Sequence, residues 1–545
     1  MRRALLITLL ACLVAPAASL ATPSQESWFQ DDNMLEFSEP PAVTKTLDQL
    51  KSLGVDRIRV SVFWLAVAPD GASQNKPKGF DGSDPDAYPQ SHWWRYDTLV
   101  KLAAERGIGI LWDVTGPSPA WALKPIKSRP DIADAWYPNA NEFGAFVKAV
   151  ATRYSGTFIR PDDRPKTVTT PGNGIPPGVP GHRPPTTTTT EPGPPLPRVD
   201  HWEIWNEPNQ GAWLAPQHTR RKIGGRMRWL PTSPRLYRRL ADEMYASLVA
   251  TGHGNDTILL GATAPKGSND VGISRPMNPG LFIRELYCVN RNNQAYRGTA
   301  AKVRGCPPTD AVTKVPKRHP VLFRNTGFAH HPYELTFAPN RRPTEAGFYT
   351  MANLGRLSHT LRFAYLRYRQ NVPSGGVPLY LSEYGYQTNP PDRIGVSLAR
   401  QAAYLNQAEY LAWRNPAVRS HAQFLLEDGG EPISKTFQTG LLFADGRKKP
   451  AYQAYKLPIW LPKRRVRTGG QVRVWGLIRP AANGAAPQVA IQFRRNGSKK
   501  YDTLATRNAS EARGYLYEKV QIPGSGRVRL KWQGQVSRSV TVSAR

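Results

Sequence analysis

Two glutamates stand where an acid is hard to explain by packing. Glu207 lies in Trp205-Asn206-Glu207-Pro208-Asn209, directly after the apolar run 199–205 (VDHWEIW). Glu383 lies in Leu381-Ser382-Glu383-Tyr384-Gly385, after the run 377–382 (VPLYLS). A carboxyl at the tip of a buried strand is unfavourable unless it is paired or used. Pro208 stops the first strand and fixes where the carboxyl points, and Gly385 permits a sharp turn after the second. Two carboxyls facing one gap can break a glycosidic bond. One, protonated, donates to the leaving oxygen, while the other, ionised, attacks the anomeric carbon. Mutual repulsion and unequal surroundings should push their pKa values apart. This chemistry calls for no metal or organic cofactor. Asp113, at another strand tip, either meets a sugar hydroxyl or caps its loop.

Such convergence needs a scaffold that brings distant strand ends together. From about residue 25 to 462, short β-branched runs alternate with amphipathic helical stretches. The clear strands are 56–63, 107–114, 199–205, 257–262, 377–382 and 421–426, with fainter ones near 27–29 and 323–330. Helical patterns cover 43–53, 96–106, 141–154 and 236–250. Strands alternating with helices predict βαβ units around a parallel sheet, and eight of them predict a (β/α)8 TIM barrel over residues 22–462. In such a barrel the catalytic groups sit at the strand C-termini.

Asn206-Glu207-Pro208 after a strand, His331-Pro332-Tyr333, and Glu383 at a strand tip together resemble the clan A glycoside hydrolases, particularly families 5 and 39. The likeness spans roughly residues 25–460. It implies a retaining hydrolase of a β-linked oligo- or polysaccharide, with carboxyls about 5 Å apart. It casts Glu207 as acid/base and Glu383 as nucleophile. Asn206 would bond the sugar 2-hydroxyl, Tyr333 would donate to the nucleophile, Arg59 on the second strand would support it, and His331 would line the subsite. The clan usually carries a Trp at the eighth strand tip, whereas this chain reads Phe424-Leu425-Leu426-Glu427-Asp428. Trp64 and Trp121 are the candidate substitute platforms, since aromatic faces stack on sugars; the alternative for each is ordinary packing. The rival reading is a catalytically inactive barrel serving as a carbohydrate- or cell-wall-binding protein.

The remaining segments bear on location and partners. Arg2 and Arg3, an apolar run from Ala4 to Val14 and Ser19-Leu20-Ala21 predict a secretory signal peptide over residues 1–21, and hence export. The run is short for a membrane span, and the stretch before Cys12 is too short to favour lipoprotein cleavage. In an oxidising compartment, Cys288 and Cys306 are expected to form one disulfide. Residues 161–198 hold 12 Pro, 8 Thr and 5 Gly among 38 positions, which predicts a disordered surface insertion. From 463 to 545 short alternating runs predict a small all-β sandwich. The 545-residue chain carries a formal charge of +32, and this tail alone holds 18 Lys+Arg against 3 Asp+Glu. The tail either meets an anionic cell-wall polymer or is an ordinary solvated face. No nucleic-acid-reading motif and no transmembrane segment are found. With 40% hydrophobic residues, 15 Trp and 51 Pro, a mainly disordered chain and a coiled coil are excluded.

Overall fold

The computed structural model describes residues 24–268, 270–481, 486–510 and 513–545. The expected leader, residues 1–21, lies outside them. Eight parallel strands close into a barrel in sequence order: β1 (Glu26–Gln30), β2 (Arg57–Phe63), β3 (Gly109–Thr115), β4 (His201–Ile204), β5 (Thr257–Thr263), β6 (Gly327–His330), β7 (Leu379–Leu381) and β8 (Val418–Phe424). β8 pairs with β1 to complete the ring, with Trp28 beside Ala422. Every residue of β2 but the last is buried, as expected of a parallel strand covered by helices outside and by barrel side chains inside. Inside, Trp28, Leu111, Leu259, Ala262, Ala329 and Ala422 fill the lumen. Outside, helices close the second layer, and one of them, Ser233–Ala250, is keyed to the sheet by Tyr237. Its hydroxyl donates to the Ile204 carbonyl at 3.0 Å and accepts from the Gly261 amide at 2.6 Å, tying β4 to β5.

Two hairpins leave the barrel. The Pro/Thr-rich segment differs from its expected disorder: Thr167–Thr170 pairs antiparallel with Thr186–Thr189, all eight residues exposed. Consecutive β-branched threonines favour extended backbone, and facing hydroxyls bond across the ladder, as Thr167 and Thr189 do at 3.0 Å. The second hairpin, His218–Ile223 with Arg226–Pro231, belongs to the loop after β4. Gly224 and Gly225 both have positive φ, the requirement of a tight turn that matches strand twist.

Past the barrel the chain forms a β-sandwich. Ile459–Trp460, Gln471–Leu477 and Tyr515–Gln521 make one sheet. Arg465–Val466, Val540–Ala544, Gly526–Trp532, Gln488–Arg495 and Asp502–Asn508 make the other. Val472, Val474, Ile491, Phe493, Val528 and Leu530 fill the space between them. The strand Asp502–Asn508 has no counterpart in the hydrophobic pattern, because it is an exposed edge without a buried face. The outer face of the smaller sheet docks on the barrel: Trp475 and Tyr515 pack with Tyr410 and Trp413 of the helix Leu398–Trp413. Below this cluster Arg479 forms a buried ion pair with Glu409 and donates to Ser27 Oγ in β1, and Arg513 pairs with Asp56. The sandwich therefore caps the N-terminal end of the barrel, opposite the strand tips.

Cys288 and Cys306 are disulfide-bonded, with Cα atoms 5.9 Å apart. Among the described residues no helix is long and apolar enough to cross a membrane.

Candidate active site

The centre of the site is a cation inside the barrel. Arg59, in the middle of β2, points inward and is fully buried. Its Nε donates to Glu203 Oε1 at 2.6 Å. Nη1 donates to Gln30 Oε1 at 2.6 Å and to Glu383 Oε1 at 2.8 Å, and Nη2 to Asn206 Oδ1 at 2.8 Å. Asp113 Oδ2 lies 3.1 Å from the same Nη2. The guanidinium fork thus holds groups from β1, β3, β4 and the tips after β4 and β7, which only a planar five-donor group can do. Burial, with repulsion from Glu203 and Glu383, pushes the Asp113 carboxyl well above the ordinary range, despite Arg59.

The chain after β4 turns sharply to aim the next residues. Trp205 and Glu207 both have positive φ, rare for side-chain-bearing residues and a form of strain that recurs at functional sites. The turn is locked from three sides. The Trp205 indole donates to the Trp213 carbonyl at 3.0 Å, the Asn206 amide donates to Thr115 Oγ1 at 3.0 Å, and the Glu207 amide donates to the Ala262 carbonyl at 3.0 Å. Gly116 is required here, since a Cβ would sit 2.9 Å from the Trp205 ring. With Asn206 Oδ1 taken by Arg59, its amide NH2 remains as a donor.

Glu383 follows β7 and is clamped on both oxygens. Oε1 accepts from Arg59, and Oε2 accepts from the Tyr333 hydroxyl at 3.0 Å. Tyr333 itself stacks on the buried Tyr384, with ring centroids 6.0 Å apart. His331 Nδ1 is 3.0 Å from Glu207 Oε1 and 3.6 Å from Glu383 Oε2. One oxygen of Glu207, one of Glu383 and a His331 nitrogen all lie within 4.8 Å of one another. By donor type this trio could hold a cation. Glu383, however, already accepts from Arg59 and Tyr333, and a guanidinium in the shell opposes a divalent ion.

The adjacent histidines behave oppositely. His330 is buried with both ring nitrogens engaged, Nδ1 at 2.8 Å from Thr263 Oγ1 and Nε2 at 2.8 Å from the Tyr349 carbonyl. Burial depresses it to about 3, so it stays neutral. For His331 burial acts in the same direction, but the carboxylates of Glu383 and Glu207 outweigh it and raise its pKa. Glu383 is itself raised: burial is the largest influence and Glu207 adds to it, while His331, Arg59 and Tyr333 pull the other way. Protons in this cluster belong to the group rather than to one residue.

Of the expected site residues, the structure brings together Glu207, Glu383, Asn206, Tyr333, His331 and Arg59. The two tryptophans stand elsewhere. Trp64 has no exposed surface and lies between Phe146 and Phe143, which rules it out as a sugar platform. It directly follows β2 in a short helix, and its ring turns outward into the helical layer. Trp121 is partly buried, its ring plane perpendicular to that of Trp64 and its indole donating to the Pro69 carbonyl, and no hydrogen bond or ring contact among the described residues joins it to the Glu207–Glu383 cluster. Beside the Glu383 clamp stands Phe424 instead, whose ring meets Tyr333 edge-on at 6.5 Å and Phe437 at 5.4 Å; Phe437 is 56% exposed. Gln30 and Glu203 are site residues that the sequence barely signals. Both lie within strands, and only an acid inside an apolar run (HWEIW) hints at an inward polar network.

No protein-family model matches the sequence, and no curated protein matches it. Among solved structures the chain is similar to a glucosidase from Croceicoccus marinus (12% identity, 95% of this chain and 97% of that chain, TM-score 0.46). It is also similar to GH5_18 from Streptomyces cattleya in complex with GlcNAc (14%, 82% and 86%, TM-score 0.41). A family 5 glycoside hydrolase from Bacteroides vulgatus matches over 95% of this chain and 89% of its own (10% identity, TM-score 0.39). Likeness at this level says nothing about chemistry, which rests on the side chains above.

Proposed function

We propose that the protein is an exported retaining glycoside hydrolase that cleaves O-glycosidic bonds of a β-linked oligo- or polysaccharide. One observation carries the reading: Glu207 and Glu383, 176 positions apart in sequence, offer carboxylate oxygens within 4.8 Å of each other at the strand C-termini. Retaining enzymes keep their carboxyls about 5–5.5 Å apart, whereas inverting ones need about 6.5–9.5 Å for an intervening water. Both donors on Glu383, from Arg59 and Tyr333, stabilise its anion and leave it poised as nucleophile. Glu207 is the more open of the two. Among the described residues its side chain hydrogen-bonds His331 alone, and it protonates the leaving oxygen.

Glu383 attacks the anomeric carbon as the C–O bond to the leaving group breaks and the Glu207 proton moves to that oxygen. Water then attacks the glycosyl ester, giving its proton to Glu207 and releasing Glu383. The free amide of Asn206 donates to the sugar hydroxyl next to the reacting carbon. Phe424 and Phe437 serve as the apolar platform in place of the eighth-strand Trp. The basic sandwich holds the enzyme near anionic wall polymer.

Chemical rescue tests the assignment. Glu207→Gln should lower kcat by about 10²–10⁴ on substrates with poor leaving groups. With Glu383→Gly, azide and an activated aryl glycoside should yield a glycosyl azide of inverted configuration. With Glu207→Gly the azide product should keep the configuration. The same stereochemistry from both variants would overturn the roles given to the two glutamates, and wild type and both variants equally silent on a broad glycan panel while glycan binding persists would return the barrel to a binding role.

A further inference from the structure

The hairpin after β4 bears on the substrate class of this site. Between Glu207 and Asp242 no acidic residue occurs, while eight Lys and Arg do, five of them on the hairpin: Arg220, Arg221, Lys222, Arg226 and Arg228. All five are exposed, and among the described residues none pairs with a carboxylate. Arg221 stands directly opposite Arg228 in the antiparallel register. Facing like charges destabilise a hairpin. On the other side Arg220 faces Trp229 and Lys222 faces Met227, with Trp229 38% and Met227 53% exposed. A ring flanked by cations can cover the apolar face of a sugar while the cations meet its carboxylate.

The hairpin base is fastened to the catalytic turn. Gln217, just before the hairpin, donates its amide NH2 to the carbonyls of Pro208 (2.9 Å) and Leu214 (2.7 Å), and the Thr232 amide donates to the Gln217 carbonyl at 2.8 Å. Pro208 is the residue after Glu207. The base of the ladder is therefore tied to the residue after the acid/base, and each of its six-residue strands is about 20 Å long at strand rise.

We propose that the substrate is an anionic glycan, and that the hairpin 218–231 binds acidic sugars several units away from the bond being cut. This rests on the glycoside hydrolase reading of the barrel. Binding is separated from hydrolysis by using the full chain carrying Glu383→Gln and titrating it with a β-1,4-linked glucuronate hexamer or with cellohexaose. These probes share a backbone and differ in charge.

The acidic hexamer should bind at least about tenfold more tightly than cellohexaose at low salt. Replacing the five hairpin cations by Gln should remove about tenfold of that affinity, the scale of several exposed ion pairs. Trp229→Ala should weaken both probes. A control set on the outer helices Ala311–Arg318 and Leu354–Arg367, exposed Lys317→Gln, Arg318→Gln, Arg356→Gln and Arg362→Gln, should leave the hexamer's affinity unchanged. The proposal fails if both hexamers bind equally, if neither binds, if the control loses as much as the hairpin variant, or if duplex DNA outcompetes the acidic hexamer. Cleavage of no glycan by the wild type, with hexamer discrimination intact, would instead overturn the hydrolase reading alone.

Discussion

Arg59 is the residue on which the site turns. It is fully buried and shares its fork among Glu203, Asp113, Glu383, Gln30 and Asn206. Removing it leaves the buried acids Glu203, Asp113 and Glu383 without the guanidinium they share. Arg59→Met should therefore lower the unfolding free energy by about 3–5 kcal/mol, as losing one partner of a buried ion pair does, and abolish turnover. Arg59→Lys keeps the charge but not the fork, so it should recover part of the stability and little of the activity. Denaturant unfolding and steady-state rates on one substrate check both; a Met variant within twofold of wild-type turnover would remove Arg59 from the mechanism. The place of Glu383 at a strand tip was legible because an acid ended an apolar run. The role of Gln30 was not, since an amide in a strand gives no hint of which way it faces.

Among the elements, β6 sets the chemistry of the residue beyond its tip. Its last residue, His330, is held between Thr263 and the Tyr349 carbonyl, and this fixes the direction in which His331 leaves the strand. His330 is depressed from 6.5 to about 3 in the folded chain. Between those values the unfolded chain binds the extra proton. The stabilisation is thus complete above pH 6.5 and declines as pH falls toward 3, by on the order of 5 kcal/mol at full extent. Unfolding from pH 7 to pH 3 should show this loss, and His330→Asn should flatten it; an unchanged slope would place the acid sensitivity elsewhere, such as at His421, also depressed to about 3. The eight barrel strands were legible from their apolar runs, including the faint first and sixth. The hairpin after β4 was not, because an exposed ladder of cations lacks an apolar face, although Gly224-Gly225 marks its turn.

For the whole molecule, the sandwich turns one sheet to the barrel and the other to solvent. On the solvent side Arg494 faces Arg527, Gln492 faces Arg529 and Ala490 faces Lys531, with Arg465 at the far edge. Among the described residues, Arg465, Arg494, Arg527 and Lys531 each lack a carboxylate partner. The full chain should bind teichoic acid at low ionic strength and release it as salt rises, since exposed charges are screened over about 8 Å at physiological strength. Replacing these four residues by Gln should remove most of that retention while soluble substrate is cleaved normally. Salt-independent retention, or equal retention by the variant, would make this face merely solvated.

Composition and periodicity alone determined the α/β barrel, the β-rich tail and the two acids at strand tips, because burial imposes an apolar pattern wherever a strand lies in a core. Only the tertiary structure decided which polar groups share Arg59, which of two neighbouring histidines meets the carboxylates, and that Trp64 faces the helices rather than the substrate. These depend on the direction of single side chains across the barrel. Contacts between residues hundreds of positions apart leave no period in the chain.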